Sequence, residues 1–238
     1  MATILITDDD GHIREVVRFA LEQAGHSVVE AADGLAALRA FDDTPIDAIV
    51  LDILMPELDG LEVCRRIRAH SDAAKREVPI LFLSSKDEEF DRILGLEMGA
   101  DDYVTKPFSP RELAVRVKVM LRRSQARSVI DPQGAILRHS AITLDLQRHR
   151  CLLGQDEIVL TVTEFDLLRT LMGHPGKVYT RGELVDRVWG PGHHITDRTI
   201  DSHIRRIRGK FNALVPESDP VETVYGLGYR LKTAGGSP

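Results

Sequence analysis

A set of polar residues stands directly after short apolar runs, and their types suit one kind of chemistry. Asp8, Asp9 and Asp10 follow the run at 4–6, Asp52 the run at 46–51, Ser84 the run at 80–83, and Lys106 the run at 103–104. Taken singly, an aspartate after a strand is usually a helix N-cap or a turn residue. Several runs delivering polar groups to one edge make a site. Carboxylates crowded together raise one another's proton affinity unless a cation joins them. Oxygen ligands with open positions suit Mg²⁺, which takes one or two carboxylates, several waters and a phosphate oxygen. A lysine and a hydroxyl beside such an ion describe phosphoryl transfer: metal and ammonium balance the equatorial oxygens while an aspartate attacks in line. Asp52 stands alone and is the candidate nucleophile. Asp8 and Asp9 are the candidate metal holders.

Those residues need elements to bring them together. The runs at 4–6, 27–29, 46–51, 80–83 and 103–104 are predicted strands, with helical patterns between them. In the first helix Ile13, Val16, Val17, Ala20, Leu21 and Ala24 share one face at the three-and-four spacing. The alternation specifies an α/β doubly wound, five-stranded parallel sheet, because each return to a parallel strand needs a crossover. Ligands bind such sheets beyond the carboxyl ends of the strands. That is where the polar set stands.

The chain has 238 residues, enough for one large domain or two modest ones, and its 43% apolar and 29% charged residues exclude a disordered or fibrous protein. The longest apolar run, 78–83, is too short to cross a bilayer, and residues 1–10 lack the basic start of a secretion signal, so the expected location is the cytoplasm. Cys64 and Cys151 are its two cysteines, expected as packed free thiols. The net charge of −6 divides unevenly: −8 over residues 1–123 and +2 over 124–238. Between the halves, 122–134 loses periodicity and collects Ser, Gln, Arg, Pro and Gly, as a connector does. The expected division is 1–123, a linker at 124–135, a second domain at 136–232 and a tail at 233–238.

The second half opens with short alternation at 141–160, a small antiparallel sheet turning at Gly154. Thr161, Thr163 and Glu164 then cap a helix whose Phe165, Leu167, Leu168 and Leu171 face inward and which stops near Gly173. A second helix follows Thr180, with Leu184, Val185 and Val188 inward and Trp189 at its end. The third segment, 196–210, holds five bases against two acids, with Ile200, Ile204 and Ile207 inward. Its polar arc (Arg198, Thr199, Ser202, Arg205, Arg206) is that of a helix lying in a major groove. A hairpin at 221–231, turning at Gly226 and Gly228, completes a winged helix-turn-helix, an α+β domain.

The first half resembles the CheY-like receiver domain of two-component response regulators, on ILITDDD (4–10), IVLDILMPELDG (49–60), PILFLSS (79–85) and GADDYVTKPF (99–108). The resemblance implies that Asp52 is the phosphoacceptor. Asp9 would be a direct ligand of Mg²⁺, with Asp8 acting mainly through water and the backbone carbonyl of Leu54 as a further ligand. Ser84 and Lys106 would bind the phosphoryl group, Tyr103 would turn inward when Ser84 moves, and the Lys106–Pro107 bond would be cis. Ser85 stands where a small apolar residue is commoner.

The whole second half resembles the DNA-binding domain of the OmpR/PhoB family, on LTVTEFDLL (160–168), YTRGELVDRVWG (179–190), DRTIDSHIRRIR (197–208) and TVYGLGYRL (223–231). By that resemblance Arg206 and Ser202 face bases, while Trp189, Arg198, Thr199, His203, Arg205, Arg208, Thr223 and Tyr229 mostly meet phosphates. Tyr225 replaces a wing arginine, and Gly209 stands where a lysine is common. The same family implies a two-fold dimer that pairs Arg92 with Glu112, Asp102 with Arg116 and Asp101 with Arg123, each pair occurring twice. The implied function is a non-enzymatic transcriptional regulator. Its partners would be a sensor histidine kinase, double-stranded DNA, a second copy of itself and RNA polymerase.

Two other readings stay open at this point. Asp8 and Asp10 form the Asp-x-Asp of a haloacid-dehalogenase-like phosphatase, although His12, Pro107 and Phe108 stand where that family has other residues. The other is a DNA-binding regulator whose receiver is never phosphorylated in use. The loop histidines His193 and His194 lack further ligands and are expected to bind no metal.

Overall fold

Continuously buried apolar runs organise the first half around one sheet. The computed structural model describes residues 1–85, 99–125, 136–190 and 197–233. Strands β1 (Thr3–Thr7), β2 (Ser27–Ala31), β3 (Ala48–Asp52), β4 (Ile80–Ser85) and β5 (Asp102–Lys106) form a five-stranded sheet in the order β2-β1-β3-β4-β5. Every pairing is parallel. Helices α1 (Gly11–Gln23), α2 (Gly34–Asp43), α3 (Gly60–Arg68), the single turn α4 (Ala73–Arg76) and α5 (Pro110–Gln125) belong to this half. Successive strand side chains point to opposite faces. Leu5, Ile49, Leu51 and Phe82 therefore pack in one apolar cluster with α2 and α3, and Ile6, Val50, Leu81 and Leu83 in another with α1 and α5. β3 is buried along its full length, as expected of the central strand of a sheet covered on both faces.

Aspartates start the helices. The side chains of Asp10, Asp33, Asp59 and Asp72 each accept a backbone N–H in the first turn of α1 to α4. Gly60 opens α3 against the end of β3, its N–H donating to the Ile53 carbonyl at 2.9 Å. A Cβ there would sit 2.0 Å from the Asp52 carbonyl oxygen, so only glycine permits this approach. The Lys106–Pro107 peptide is cis.

The second half builds a separate core. Strands β6 (Ile136–His139), β7 (Ile142–Asp145), β8 (Arg150–Leu153) and β9 (Asp156–Ile158) form an antiparallel sheet in chain order. Helices α6 (Val162–Met172), α7 (Arg181–Val188) and α8 (Asp197–Leu214) follow, with β10 (Tyr179–Thr180), β11 (Val221–Val224) and β12 (Gly228–Leu231) in a three-stranded sheet. Capping boxes start α6 at Thr161 and α7 at Thr180, each closed by a glutamate three residues on. Leu144, Phe165, Leu168, Trp189, Ile200, Ile204, Ile207 and Phe211 are among the side chains of the shared core.

The chain separates into two compact units, 1–125 and 126–238. Three details differ from the sequence reading. Helix α5 continues to Gln125, into the stretch read as connector; α8 runs past Lys210 to Leu214; and β10 is too short to carry a periodic signal. His193 and His194 lie outside the described residues. Among the described residues, no helix is long and apolar enough to cross a membrane.

Candidate functional site

The carboxyl edge of the five-stranded sheet gathers the acids. Asp8 follows β1 and Asp52 ends β3, and oxygens of Asp8, Asp9 and Asp52 all lie within 4.8 Å of one another. Asp8 and Asp52 are buried, and Asp9 is exposed. Lys106, the last residue of β5, donates from Nζ to Asp8 Oδ2 at 2.7 Å and lies 3.0 Å from Asp52 Oδ1. Burial, and then the charge of Asp8, push the Asp52 carboxyl up to about 6 against the opposing pull of Lys106. Burial alone would lower the Lys106 ammonium, but its bond to Asp8 and the charge of Asp52 prevail and raise it. Oxygen-only donors with one solvent-facing acid fit Mg²⁺. Ser84 is buried at the same edge, with Oγ donating to the Ser85 carbonyl at 3.2 Å, and Tyr103 is half-buried on β5. The Leu54 side chain is half exposed in the loop after β3.

Asp10 is spent on structure: its Oδ1 accepts the His12 N–H at 2.8 Å as the cap of α1, leaving the Asp-x-Asp reading without its second acid. Sequence reasoning missed Arg14, whose Nη1 donates to the carbonyls of Asp8 at 2.7 Å and Asp9 at 3.2 Å. Nothing in its spacing separates it from an ordinary solvated helix base. Because a cation would relieve carboxylate repulsion in the folded state alone, Mg²⁺ is expected to raise the melting temperature of this unit. A ligand at a hundredfold excess over Kd adds about 2.7 kcal/mol. Scanning calorimetry checks this, with Asp9→Asn expected to remove most of the rise.

The acids assigned to a dimer are engaged within the chain. Asp101 and Asp102 are both 1% exposed. Asp101 pairs with Arg68 at 3.0 Å and accepts the Ile80 N–H at 3.1 Å. Asp102 pairs with Arg116 of its own chain at 3.1 Å, and Arg116 also meets Glu112 at 3.0 Å. The physical reason is desolvation: carboxylates drawn into the start of β5 require charge partners where they are buried. Arg92 and the side chain of Arg123 lie outside the described residues.

In the second unit, α8 shows a different outward face from the one expected. Thr199, Ser202 and His203 of α8 are buried, as are Trp189 and Tyr229. The five side chains expected to meet DNA at these positions are thus enclosed within their own domain in the unbound chain. Arg206, also expected at a base, turns inward to Glu164, with Nε donating to Oε1 at 2.7 Å. The outward arc carries Arg198, Asp201, Arg205, Arg208, Gly209 and Asn212, of which Arg198 and Arg205 are exposed basic groups. Arg208 donates to the Val221 carbonyl at 2.6 Å and to Thr223 Oγ1 at 2.9 Å, tying the helix to the wing. The Tyr229 hydroxyl donates to Asp201 Oδ1 at 2.6 Å, and Arg181 meets the same carboxylate at 2.8 Å. Tyr225 and Leu227 stand exposed at the wing tip.

A receiver sheet with an acid and lysine pocket, carried in one chain with a winged-helix unit, defines a response regulator with a DNA-binding domain. Residues 4–118 match the response regulator receiver domain, and 154–231 match the transcriptional regulatory protein C-terminal domain. The chain belongs to the OmpR/PhoB family of response regulators. It is 38% identical over 232 residues to the sensory transduction protein RegX3 of Mycobacterium tuberculosis (strain ATCC 25618 / H37Rv), covering 98% of this chain and 100% of that one. It is 40% identical to the phosphate regulon transcriptional regulatory protein PhoB of Escherichia coli K12, covering 97% of each. Among solved structures it is similar to the response regulator DrrB of Thermotoga maritima, an OmpR/PhoB homologue, with a TM-score of 0.50, 29% identity and coverage of 98% and 99%.

Proposed function

We propose that this regulator is switched by a sensor histidine kinase that phosphorylates Asp52, and that the modified chain dimerises and binds repeated half-sites in double-stranded DNA. The observation that carries the reading is the pocket of Asp8, Asp9, Asp52 and Lys106 in the same chain as the outward-facing Arg198 and Arg205. Asp8, Asp9 and Asp52, with the Leu54 carbonyl, would hold Mg²⁺. When bound, the ion supplies charge neutralisation on the phosphoryl oxygens. An Asp52 carboxylate oxygen attacks phosphorus, the bond to the donor histidine breaks, and that imidazole leaves with its electron pair. Lys106 holds the phosphoryl charge by its ammonium, and the Ser84 hydroxyl donates to a phosphoryl oxygen. The product adds about −1.5 to −2 charges if it behaves as other phosphate groups do. The expected dimer face is that of β5 and α5, where Glu112 is exposed; the intrachain pairs of Asp101 and Asp102 underlie this face. The chain is not expected to turn over a phosphate ester.

The test is DNA affinity and sedimentation before and after treatment with acetyl phosphate and Mg²⁺. A gain in both supports the switch, and no change in either favours a receiver unphosphorylated in use. On the DNA side, Arg205→Ala is expected to weaken all sequences alike and to reduce the slope of log affinity against log salt by about 0.9, the share of one phosphate contact. Titrations at several salt concentrations check it.

A further inference from the structure

Asp8, Asp9 and Asp10 make up the whole connection between β1 and α1. Arg14, on α1, turns its side chain back over that connection. Its Nη1 donates to the Asp8 carbonyl at 2.7 Å and to the Asp9 carbonyl at 3.2 Å. The same two residues offer carboxylate oxygens within 4.8 Å of each other and of Asp52. The Asp8 carboxylate is held from elsewhere as well, Oδ1 accepting the Asp10 N–H at 3.0 Å and Oδ2 accepting Lys106 at 2.7 Å. Asp9 is exposed, and its carbonyl is tied back to the helix by Arg14. Arg14 is itself oriented from β2: its Nε lies 3.5 Å from Glu30 Oε2, while Glu30 Oε1 meets Arg18 at 3.0 Å.

Mg²⁺ tolerates little error in the placing of its oxygens. Groups that orient the ligands without touching the metal are worth about 10–100-fold in affinity. A guanidinium near the pocket also brings a positive charge, which by itself opposes a bound cation. Removing Arg14 therefore moves Mg²⁺ affinity down if its hydrogen bonds matter and up if only its charge does. We infer that Arg14 is a positioning residue for the phosphorylation of Asp52: by holding the Asp8 and Asp9 carbonyls it fixes the turn from which both acids present oxygens to Mg²⁺. The inference rests on the reading that these acids hold the ion.

The experiment uses the full, unphosphorylated chain in scanning calorimetry across a Mg²⁺ series, where the rise of melting temperature with ion concentration gives the affinity. Labelling by acetyl phosphate, followed by intact mass over the same series, is the second readout. Arg14→Met is expected to weaken Mg²⁺ binding about tenfold or more and to raise the concentration for half-maximal labelling by the same factor. At saturating Mg²⁺ its labelling rate should return close to that of the wild type. Arg14→Lys, which keeps a cationic donor, should recover part of the loss. Arg18→Met is the control, since Arg18 pairs with Glu22 and Glu30 instead, and it should leave Mg²⁺ affinity unchanged. Unchanged or tighter Mg²⁺ binding by folded Arg14→Met overturns the inference, even if the melting temperature without Mg²⁺ has fallen, because helix stability or charge would then be the whole effect. An equal loss in Arg18→Met overturns it too, by placing the effect in the helix at large. If the wild-type chain itself shows no Mg²⁺-dependent rise, the reading of the acids as holders of the ion is what fails. Should Arg14→Met not fold, Arg14→Gln is compared in the same way: weaker Mg²⁺ binding supports the inference, and wild-type affinity overturns it.

Discussion

Asp52→Asn is expected to abolish covalent labelling by acetyl phosphate and Mg²⁺, and with it any gain in DNA affinity on that treatment. Asp52 is the acid that ends the central strand with an oxygen 3.0 Å from Lys106 Nζ. An amide at this position keeps the size of the side chain and removes the nucleophilic oxygen pair. Asp8 already accepts Lys106 at 2.7 Å and the Asp10 N–H at 3.0 Å, and exposed Asp9 faces solvent, so both are placed to hold a cation and neither to replace Asp52. Intact mass before and after incubation reads the result directly. A variant that still gains one phosphoryl group would show that another residue is the acceptor.

Glu164→Ala is expected to destabilise the second unit by about 3–5 kcal/mol, the usual cost of leaving a buried charge without its partner. Arg206, with a side chain only 11% exposed, would lose its carboxylate while still enclosed between helices, and the cap of α6 would lose its reciprocal half. Denaturant unfolding followed through Trp189 measures the loss. The same group predicts an acid limb. Burial by itself would raise the Glu164 carboxyl, but Arg206 and Lys210 outweigh it and hold it well below its ordinary 4.5. The stabilisation is therefore complete above about pH 4.5 and is lost as the pH falls through the depressed folded value. Glu164→Gln should flatten that limb.

How much of this was legible in the sequence depended on how local each signal was. The strands of the first unit, the polar residues at their ends and the separation of Asp52 from Asp8 and Asp9 follow from short apolar runs between helical patterns and from position alone, and the structure brings Asp8, Asp9, Asp52 and Lys106 together. The caps at Thr161 and Thr180 were equally readable or nearly so, since a capping box spans four residues. Partners distant in the chain left no trace. Arg68 reaches Asp101 across 33 residues and Arg206 reaches Glu164 across 42, and neither spacing carries a pattern. The polar face of α8 misled for a related reason: three inward isoleucines define where burial is centred but not how wide it is. Thr199, Ser202 and His203 are buried as well.

The alternation of β3 between two cores has a bearing on how this chain can vary. Ile49 and Leu51 serve one cluster, Ala48 and Val50 the other, and Asp52 is the next position in the same series. Inserting or deleting one residue there would exchange every side chain between the clusters and carry the carboxylate to the wrong side of the edge. Descendants of this gene can therefore change the identities of residues 48–51 within limits of volume, but their number is as constrained as the aspartate itself.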